Sequence, residues 1–177
     1  MTDERLPPPS VADHRRQASR FGAVKFAVIT VSDTRSQDDD QSGPILIEGL
    51  QADGHTLIHY AVVPDEPQRI RSEVKELLNQ DLDAILLNGG TGIAPRDRTF
   101  ESLAPEFDRE LPGFGELFRM LSFAEIGAAA MLSRAAAGVI GRRLIFCLPG
   151  SRHAVALALD RLIRPELGHM VFELNKS

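Results

Sequence analysis

Short apolar runs alternate with amphipathic stretches along the first ninety positions of the chain. Residues 24–31 (VKFAVITV) form a β-branched and apolar run, which predicts a strand buried on both faces. Residues 55–63 predict a second strand, and residues 83–87 a short third one. A turn at residues 64–67 leads into a predicted helix in which the apolar positions Ile70, Val74, Leu77 and Leu78 share one face.

Another helix is predicted between the first two strands. Ser42 is a suitable N-cap, Pro44 fits the first turn, and Gly54 follows the helix as a termination signal. The first ninety residues therefore alternate β, α, β, α, β. This order predicts a parallel sheet with right-handed crossovers and helices on both faces.

The second half of the chain is mixed. Residues 111–113 (LPG) precede a predicted helix that continues through Met120 and Leu121, and the alanine-rich residues 128–137 are predicted to be helical at least in part. Residues 139–140 and 144–146 predict a pair of strands. An amphipathic helix follows Ser151, and Pro165 is expected to end or kink it.

Glycines dominate residues 88–92 (NGGTG), directly after the third predicted strand. Three glycines in four positions allow a tight turn that presents backbone N–H groups to an anion, and Thr91 adds a hydroxyl donor. The alternative is an ordinary glycine turn. The segment is neither a dinucleotide-binding fingerprint nor a P-loop.

In an open parallel sheet, ligands bind beyond the carboxyl ends of the strands. Three more segments follow predicted strands and are expected at the same rim: residues 32–33, residues 64–65 and residues 149–151. Arg96 and Arg98 flank Asp97; arginines hold phosphate oxygens, and a carboxylate among phosphates indicates Mg²⁺. A surface ion-pair cluster is the alternative for this group, and a helix N-cap is the alternative for Asp65.

Other polar groups carry weaker signals. The acidic residues 38–40 are interpreted as a solvated loop rather than a metal site. Ser133 and Arg134 are interpreted as a helix-end pair, and Cys147 as a small buried apolar residue. The histidines lack the spacing of a metal cluster, and the nearest to the rim is His153; they are His14, His55, His59, His153 and His169.

Composition excludes several classes of function. The chain has 177 residues, 43% of them hydrophobic, and a net charge of −5, which argues against a nucleic-acid partner. No apolar run has the length of a membrane span or the form of a secretory signal, so a cytoplasmic protein is expected. Residues 1–21 are polar and predict a flexible tail, and residues 22–177 one domain.

Many of these segments together resemble one family. The chain is similar to the molybdopterin adenylyltransferase group of molybdenum cofactor biosynthesis proteins (MoaB/MogA type), above all to its bacterial protein B branch. The matching segments are residues 30–33 (TVSD), 40–43 (DQSG), 65–66 (DE), 88–92 (NGGTG), 95–97 (PRD), 107–116 (FDRELPGFGE), 118–127 (FRMLSFAEIG), 132–135 (LSRA) and 149–151 (PGS).

The resemblance implies a three-layer α/β/α single domain with a mostly parallel sheet, of the molybdopterin-binding type. It implies a homo-oligomer, either a trimer or a hexamer of two trimers, with other cofactor-pathway proteins as further partners. The implied reaction moves AMP from ATP to the terminal phosphate of molybdopterin, releases pyrophosphate and uses Mg²⁺.

The resemblance also assigns roles to residues. Asp65 and Asp97 match the catalytic aspartates and would hold Mg²⁺ on the nucleotide phosphates. The glycine loop would bind the molybdopterin phosphate through Gly89, Gly90, Thr91 and Gly92. Rim positions that would contact pterin or phosphate are Ser32, Asp33, Ser133, Pro149, Gly150 and Ser151.

Some members of the protein B branch lack the first aspartate, so the presence of both Asp65 and Asp97 favours an active enzyme. Asn88 stands where many relatives have threonine, which we expect to be tolerated. The chain is too short for the extra domains of the larger molybdate-inserting proteins. Two alternatives are a non-catalytic molybdopterin-binding or scaffold protein of the same pathway and an unrelated nucleotide-binding module.

Overall fold

Six strands form one sheet in the order β2-β1-β3-β6-β5-β4 in the computed structural model, which describes residues 22–176. The strands are β1 (Lys25–Val31), β2 (Thr56–Val63), β3 (Ala84–Asn88), β4 (Arg109–Glu110), β5 (Ala136–Ile140) and β6 (Arg143–Leu148). The strands β2, β1, β3 and β6 are parallel, and β5 is antiparallel to both of its neighbours. The sheet is mostly parallel, as predicted.

Helices cover both faces of this sheet. They are α1 (Gly43–Ala52), α2 (Pro67–Leu78), α3 (Thr99–Leu103), α4 (Pro112–Ile126), α5 (Arg152–Ala158) and α6 (Arg164–Asn175). Two 3₁₀ helices, Ala104–Glu106 and Gly127–Leu132, follow α3 and α4, and a π-helical segment, Leu159–Ile163, joins α5 to α6. Within residues 22–176, no helix combines the length and the apolar character needed to cross a bilayer.

Alternate residues of β1 enter two separate cores. Phe26 and Val28 pack in a core that also includes α1, α4, α5 and α6. Ala27 and Ile29 pack in a second core with α2 and α3. The result is the three-layer α/β/α arrangement that the resemblance implied.

The predicted face of α2 is buried as expected. Ile70, Val74 and Leu77 are at most 2% exposed, and each such side chain stabilises the fold by about 1.5–3 kcal/mol. Leu78, at the edge of the same face, is only partly buried.

Two predictions for the second half can be made more specific. The alanine-rich residues 128–137 are helical in part, as predicted, through the 3₁₀ helix Gly127–Leu132, but Ala136 and Ala137 begin strand β5 and pair with Cys147 and Phe146 of β6. Helical propensity yields there to strand pairing. Pro165 does not end the helix, since it lies in the first turn of α6, directly after the π-helical segment; a kink at this point stays a prediction.

The strand order also explains where a ligand can bind. β1 lies between β2 and β3, and the connecting helices α1 and α2 pack on opposite faces. The crevice between the ends of β1 and β3 is therefore the point where the direction of strand addition reverses, and open sheets bind ligands there. The predicted tail, residues 1–21, lies outside the described residues.

Candidate functional site

A cleft of about 530 Å³ opens at the carboxyl ends of β1, β3 and β6. It brings together most of the predicted site residues, namely Ser32, Gly89, Gly90, Thr91, Gly92, Asp97, Ser133, Pro149, Gly150 and Ser151. Val31, Thr34, Arg35 and Leu132 complete its lining. Of the predicted set, Asp33 and Asp65 lie outside the lining. With Asp97, they form what we call the acidic edge of the cleft.

The glycine loop, residues 89–92, is tied to two neighbouring elements. The Gly89 N–H donates to the carbonyl of Leu148 in β6 at 3.0 Å. The Thr99 hydroxyl at the start of α3 donates to the Gly89 carbonyl, and the Thr99 N–H donates to the Gly90 carbonyl, both at 2.9 Å. These bonds fix the loop before any ligand arrives.

Glycine is required at position 89. Its φ of 96° is in the left-handed region, and a β-carbon there would overlap the carbonyl oxygen of Val31. The close approach to Val31 places the loop against the end of β1.

The loop carries unused backbone donors. Among the described residues, the N–H groups of Gly90, Thr91 and Gly92 find no acceptor. Consecutive free N–H groups in a turn form a concave site for an anion. This arrangement supports the predicted cradle rather than an ordinary glycine turn.

Serines line the cleft on either side of the loop. The Ser32 hydroxyl accepts from the N–H of Arg35 at 3.2 Å and so shapes the turn after β1. The Ser151 hydroxyl caps α5 by accepting from the N–H of Ala154 at 3.2 Å. Both serines thus hold backbone at the rim, in addition to facing the cleft.

Two aspartates approach the glycine loop from different segments. Asp97 lines the cleft, and its Oδ2 accepts from the N–H of Ala94 at 2.9 Å. Asp65 follows β2; its Oδ1 accepts from the N–H of Arg98 at 3.2 Å, and its Oδ2 lies 2.5 Å from where a β-carbon on Gly90 would stand. The N-cap position of α2 belongs to Glu66, so the alternative role of Asp65 as a cap is wrong.

Asp33 completes the acidic edge. Its Oδ1 accepts from the N–H of Asp65 at 3.0 Å, and its Oδ2 pairs with Arg96 at 2.7 Å. Burial raises the pKa of Asp65, and the negative charges of Asp97 and Asp33 add to this effect. The three carboxylates therefore repel one another at the edge of the cleft.

The acidic edge fits a divalent cation in part. Among residues 22–176, no three His, Cys, Asp or Glu side chains converge on a single metal position. Burial is the largest cause of the raised pKa of Asp65, and the negative charges of Asp97 and Asp33 raise it further, an effect that a nearby cation would offset. Mg²⁺ is usually held by one or two carboxylates together with substrate phosphates and water, and Asp65 with Asp97 fits that pattern.

Arg134 is a site residue that the sequence interpretation missed. Its Nε donates to the carbonyl of Thr91 at 2.9 Å, and its guanidinium pairs with Glu101 at 2.7 Å. Ser133 follows a 3₁₀ helix, as a helix-end residue should, but Arg134 reaches back to the glycine loop. Spacing alone contained no sign of this contact.

Asp40 was wrongly interpreted as part of a solvated loop. Its side chain is 0% exposed, whereas Asp38 and Asp39 are exposed. The Asp40 carboxylate accepts from the hydroxyls of Thr30 at 2.5 Å and Tyr60 at 2.7 Å, and from the N–H of Ser42 at 3.0 Å. Burial alone would raise the pKa of Asp40, but these hydrogen bonds bring it below its ordinary value.

The same network reaches the glycine loop through Asn88. The Ser42 hydroxyl lies 2.7 Å from Asn88 Oδ1 and 2.9 Å from Asp40 Oδ1, and the Asn88 amide donates to Thr30 Oγ1 at 2.9 Å. Ser42 occupies the predicted N-cap position of α1, but its hydroxyl makes no capping bond because it serves this network. Asn88 is fully buried, so its amide is structural.

The remaining candidates play no part in the cleft. His153 pairs with Glu125 at 3.1 Å. Cys147 is fully buried, and burial raises the pKa of its thiol to about 12, which suits a packing residue and not a nucleophile. His14 lies outside the described residues.

Comparisons with known proteins agree with the fold. Residues 27–169 match the model of a family described as a probable molybdopterin binding domain. The molybdenum cofactor biosynthesis protein B of Halalkalibacterium halodurans is 50% identical over 170 residues, which cover 95% of this chain and 99% of the relative.

Solved structures are similar as well. A crystal structure of molybdenum cofactor biosynthesis protein B has a TM-score of 0.85 at 46% identity and covers 88% of this chain and 98% of its own. The tungsten cofactor synthesizing protein MoaB from Pyrococcus furiosus has a TM-score of 0.80 at 40% identity, covering 85% and 96% of the two chains. The similarity therefore extends over nearly the whole of each relative.

Proposed function

The chain belongs to the probable molybdopterin-binding domain family, with molybdenum cofactor biosynthesis proteins B as its relatives, and on this premise we propose that it adenylylates molybdopterin. The observation that carries the proposal is the pairing of an anion cradle with two adjacent carboxylates, Asp65 and Asp97. The cleft would thus take a phosphate, and the carboxylates at its edge a phosphate-bound cation.

The cradle suits the terminal phosphate of molybdopterin. The free N–H groups of Gly90, Thr91 and Gly92 could bind an anion, and the helix α5 begins at Ser151, which also lines the cleft. The pterin would extend along the remaining lining, toward Ser32, Ser133 and Pro149.

The proposed reaction joins two anions. An oxygen of the molybdopterin phosphate attacks the α-phosphorus of ATP and forms a new P–O bond. The bond from the α-phosphorus to the bridging oxygen of the β-phosphate breaks, and its electron pair leaves with pyrophosphate. The protein mainly has to align the two phosphates and offset their repulsion.

Asp65 and Asp97 would hold the cation that offsets this repulsion. Mg²⁺, when bound there, would supply positive charge that offsets the repulsion between the phosphate groups. Asp97 is kept in place by the N–H of Ala94, and Asp65 by the N–H of Arg98. Both carboxylates are therefore positioned from the backbone rather than by mobile side chains.

A non-catalytic binding protein is the main alternative. A protein that only holds a phosphorylated pterin gains nothing from carboxylates beside the cradle, because they repel the ligand. The acidic edge formed by Asp33, Asp65 and Asp97 therefore favours catalysis over binding alone.

The reaction is tested by incubating the purified protein with molybdopterin, ATP and Mg²⁺. We expect adenylylated molybdopterin and an equal amount of pyrophosphate. Molybdopterin binding without either product would leave the binding role and exclude the enzyme, and ATP binding without pterin binding would favour the unrelated nucleotide-binding module.

We also propose that the chain forms a homo-oligomer, as a trimer or a hexamer of two trimers. The helix α4 exposes a row of large apolar side chains: Leu117, Met120, Phe123 and Ile126 are 48–62% exposed. Such contiguous apolar surface typically marks an interaction site. A monomer in sedimentation equilibrium would contradict the assembly without affecting the proposed reaction.

A further inference from the structure

Arg35 is the one basic side chain among the described residues that line the cleft. Two arginines near the glycine loop are engaged with carboxylates. Arg96 pairs with Asp33 at 2.7 Å, and Arg134 pairs with Glu101 at 2.7 Å. Among the described lining residues, Arg35 is therefore the cation that a phosphorylated ligand in this cleft would contact.

One nitrogen of Arg35 anchors the side chain. Its Nη1 donates to the Ser42 hydroxyl at 3.2 Å and to the Gly150 carbonyl at 3.4 Å, and it lies 3.8 Å from Asp40 Oδ1. Gly150 in turn packs against Gly89, since a β-carbon on Gly150 would stand 3.0 Å from the Gly89 α-carbon. The guanidinium is thus fixed beside the glycine loop.

The other edge of the guanidinium remains available. Within residues 22–176, neither Nε nor Nη2 of Arg35 has a hydrogen-bond partner, and its side chain is 40% exposed. Adjacent guanidinium N–H groups match two oxygens of one phosphate. An arginine anchored by Nη1 therefore keeps a phosphate-binding edge free.

The anchor itself is rigid because it rests on the buried network. Ser42 is held by Asp40 and Asn88, and Asp40 is held by Thr30 and Tyr60. Thr30, Tyr60 and Asn88 belong to the neighbouring strands β1, β2 and β3. The loop from Ser32 to Ser42 thus carries a cation whose position is set from inside the protein.

We propose that Arg35 is a phosphate-binding residue of the cleft, its Nε–Nη2 edge gripping the same phosphate that the Gly90–Gly92 amides cradle. The inference deepens the proposed function and rests on it only in requiring that the ligand carry a phosphate group. Ser42 and Asp40 act as positioning residues for this contact.

The test uses inorganic phosphate as the probe and the amide resonances of residues 89–92 as the readout. Titration of the full-length protein should shift these resonances along a saturating curve. Arg35→Ala should weaken phosphate binding about tenfold or more, as expected for loss of a charge-assisted bidentate contact. Arg35→Lys keeps the charge but loses the pair of adjacent N–H donors. Its phosphate affinity should lie between those of the wild type and Arg35→Ala.

Arg142→Ala is the matched control, because Arg142 is exposed in the turn before β6, at the opposite end of the sheet from the cleft. It makes the same change in net charge and should bind phosphate as the wild type does. Unaltered binding in Arg35→Ala, or equal weakening in Arg142→Ala, overturns the proposal. The proposal is also overturned if phosphate causes no shift in the glycine-loop resonances of the wild-type protein.

The same proteins separate this inference from the proposed reaction. Arg35-dependent phosphate binding in a wild-type protein that forms no adenylylated product supports the phosphate site and rejects the enzyme. If the Arg35→Ala protein instead binds phosphate normally and forms adenylylated product, the role of Arg35 is rejected and the enzyme is supported.

Discussion

The Nε of Arg134 donates to the backbone carbonyl of Thr91 at 2.9 Å, joining two residues that are 43 positions apart. Its other nitrogens bind Glu101. The middle of the glycine loop is therefore held by a side chain from the segment between the 3₁₀ helix Gly127–Leu132 and β5. Loop geometry, and with it ligand affinity, should depend on Arg134.

Replacing Arg134 with lysine tests this dependence. Lysine keeps the charge near Glu101 but lacks the Nε–H that bonds to Thr91, so molybdopterin affinity should fall about five- to tenfold. Glu101→Gln is the control, because it breaks the ion pair and leaves the bond to Thr91. Titration calorimetry should show the larger loss for Arg134→Lys, and the opposite order would assign the effect to charge alone.

Asp97→Asn tests the acidic edge directly. The amide oxygen of asparagine can still accept from the N–H of Ala94, so the loop should keep its shape. Loss of the negative charge should lower the adenylylation rate at least about a hundredfold, the scale seen when one electrostatic group is removed from an active site. An unchanged rate in the pyrophosphate-release assay, with thermal unfolding as the control for folding, would remove Asp97 from the mechanism.

Asp65→Asn should separate stability from activity. Because the folded state raises the pKa of Asp65, the ionised carboxylate at pH 7 is less favourable in the folded protein than in the unfolded chain. Stability from this group is present at low pH, where the carboxyl is protonated, and is lost as pH rises through the raised pKa.

The Asp65→Asn protein should therefore have a Tm at pH 7 equal to or above that of the wild type. The difference in Tm between the two proteins should shrink as the pH is lowered toward the ordinary aspartate pKa of about 3.9. Its adenylylation rate should nevertheless fall by about two orders of magnitude. Scanning calorimetry at several pH values provides the check, and a clear drop in Tm at pH 7 would mean that Asp65 is a structural residue.

Asp40→Asn should destabilise the fold. The contribution of Asp40 to stability should depend on pH in the opposite direction to that of Asp65. Thr30, Tyr60 and the Ser42 backbone all donate hydrogen bonds to the carboxylate. The NH₂ group of asparagine is itself a donor, so it would face some of these donors without an acceptor. We expect a loss of about 2–4 kcal/mol in the free energy of unfolding at pH 7. Because the folded pKa of Asp40 is lowered, its contribution is lost as pH falls through that pKa.

Urea unfolding at pH 7 and at acidic pH measures both effects. The difference between wild type and Asp40→Asn should narrow as the solution becomes more acidic. Asp38→Asn is the matched control, since Asp38 is exposed in the same loop and should change the free energy of unfolding by no more than about 0.5 kcal/mol. Equal effects of the two changes would contradict a buried role for Asp40.

A β-carbon at position 89 should be far more costly than one at position 54. Gly54 also has a positive φ of 84° but has open space around it, so Gly54→Ala should cost only the backbone strain, about 1 kcal/mol. Gly89→Ala adds the overlap with the Val31 carbonyl and should cost more than about 3 kcal/mol. Equal costs in denaturant unfolding would show that the loop can move away from β1.

Much of the fold follows from local pattern. The apolar runs of β1 and β3 and the stripe of α2 were sufficient to predict a parallel sheet covered on both faces. The convergence of Ser32, Gly89 and Gly150 at one rim followed from the rule that parallel strands end on the same edge. The role proposed for Asp65 came from the family resemblance, because pattern alone left an N-cap open.

Features that depend on distant partners could not be predicted. Asp38, Asp39 and Asp40 look alike in the sequence, and only the positions of Thr30 and Tyr60 in the folded sheet make Asp40 the buried one. Ala136 and Ala137 favour helix locally but pair with β6. In each case a tertiary contact, absent from any short window of sequence, decides the outcome.

A structure of the protein with molybdopterin bound tests the central claim most directly. The account predicts density for the terminal phosphate within hydrogen-bond distance of the N–H groups of Gly90, Thr91 and Gly92, with the pterin along the cleft. A phosphate seated elsewhere, with the glycine loop left empty, would contradict it.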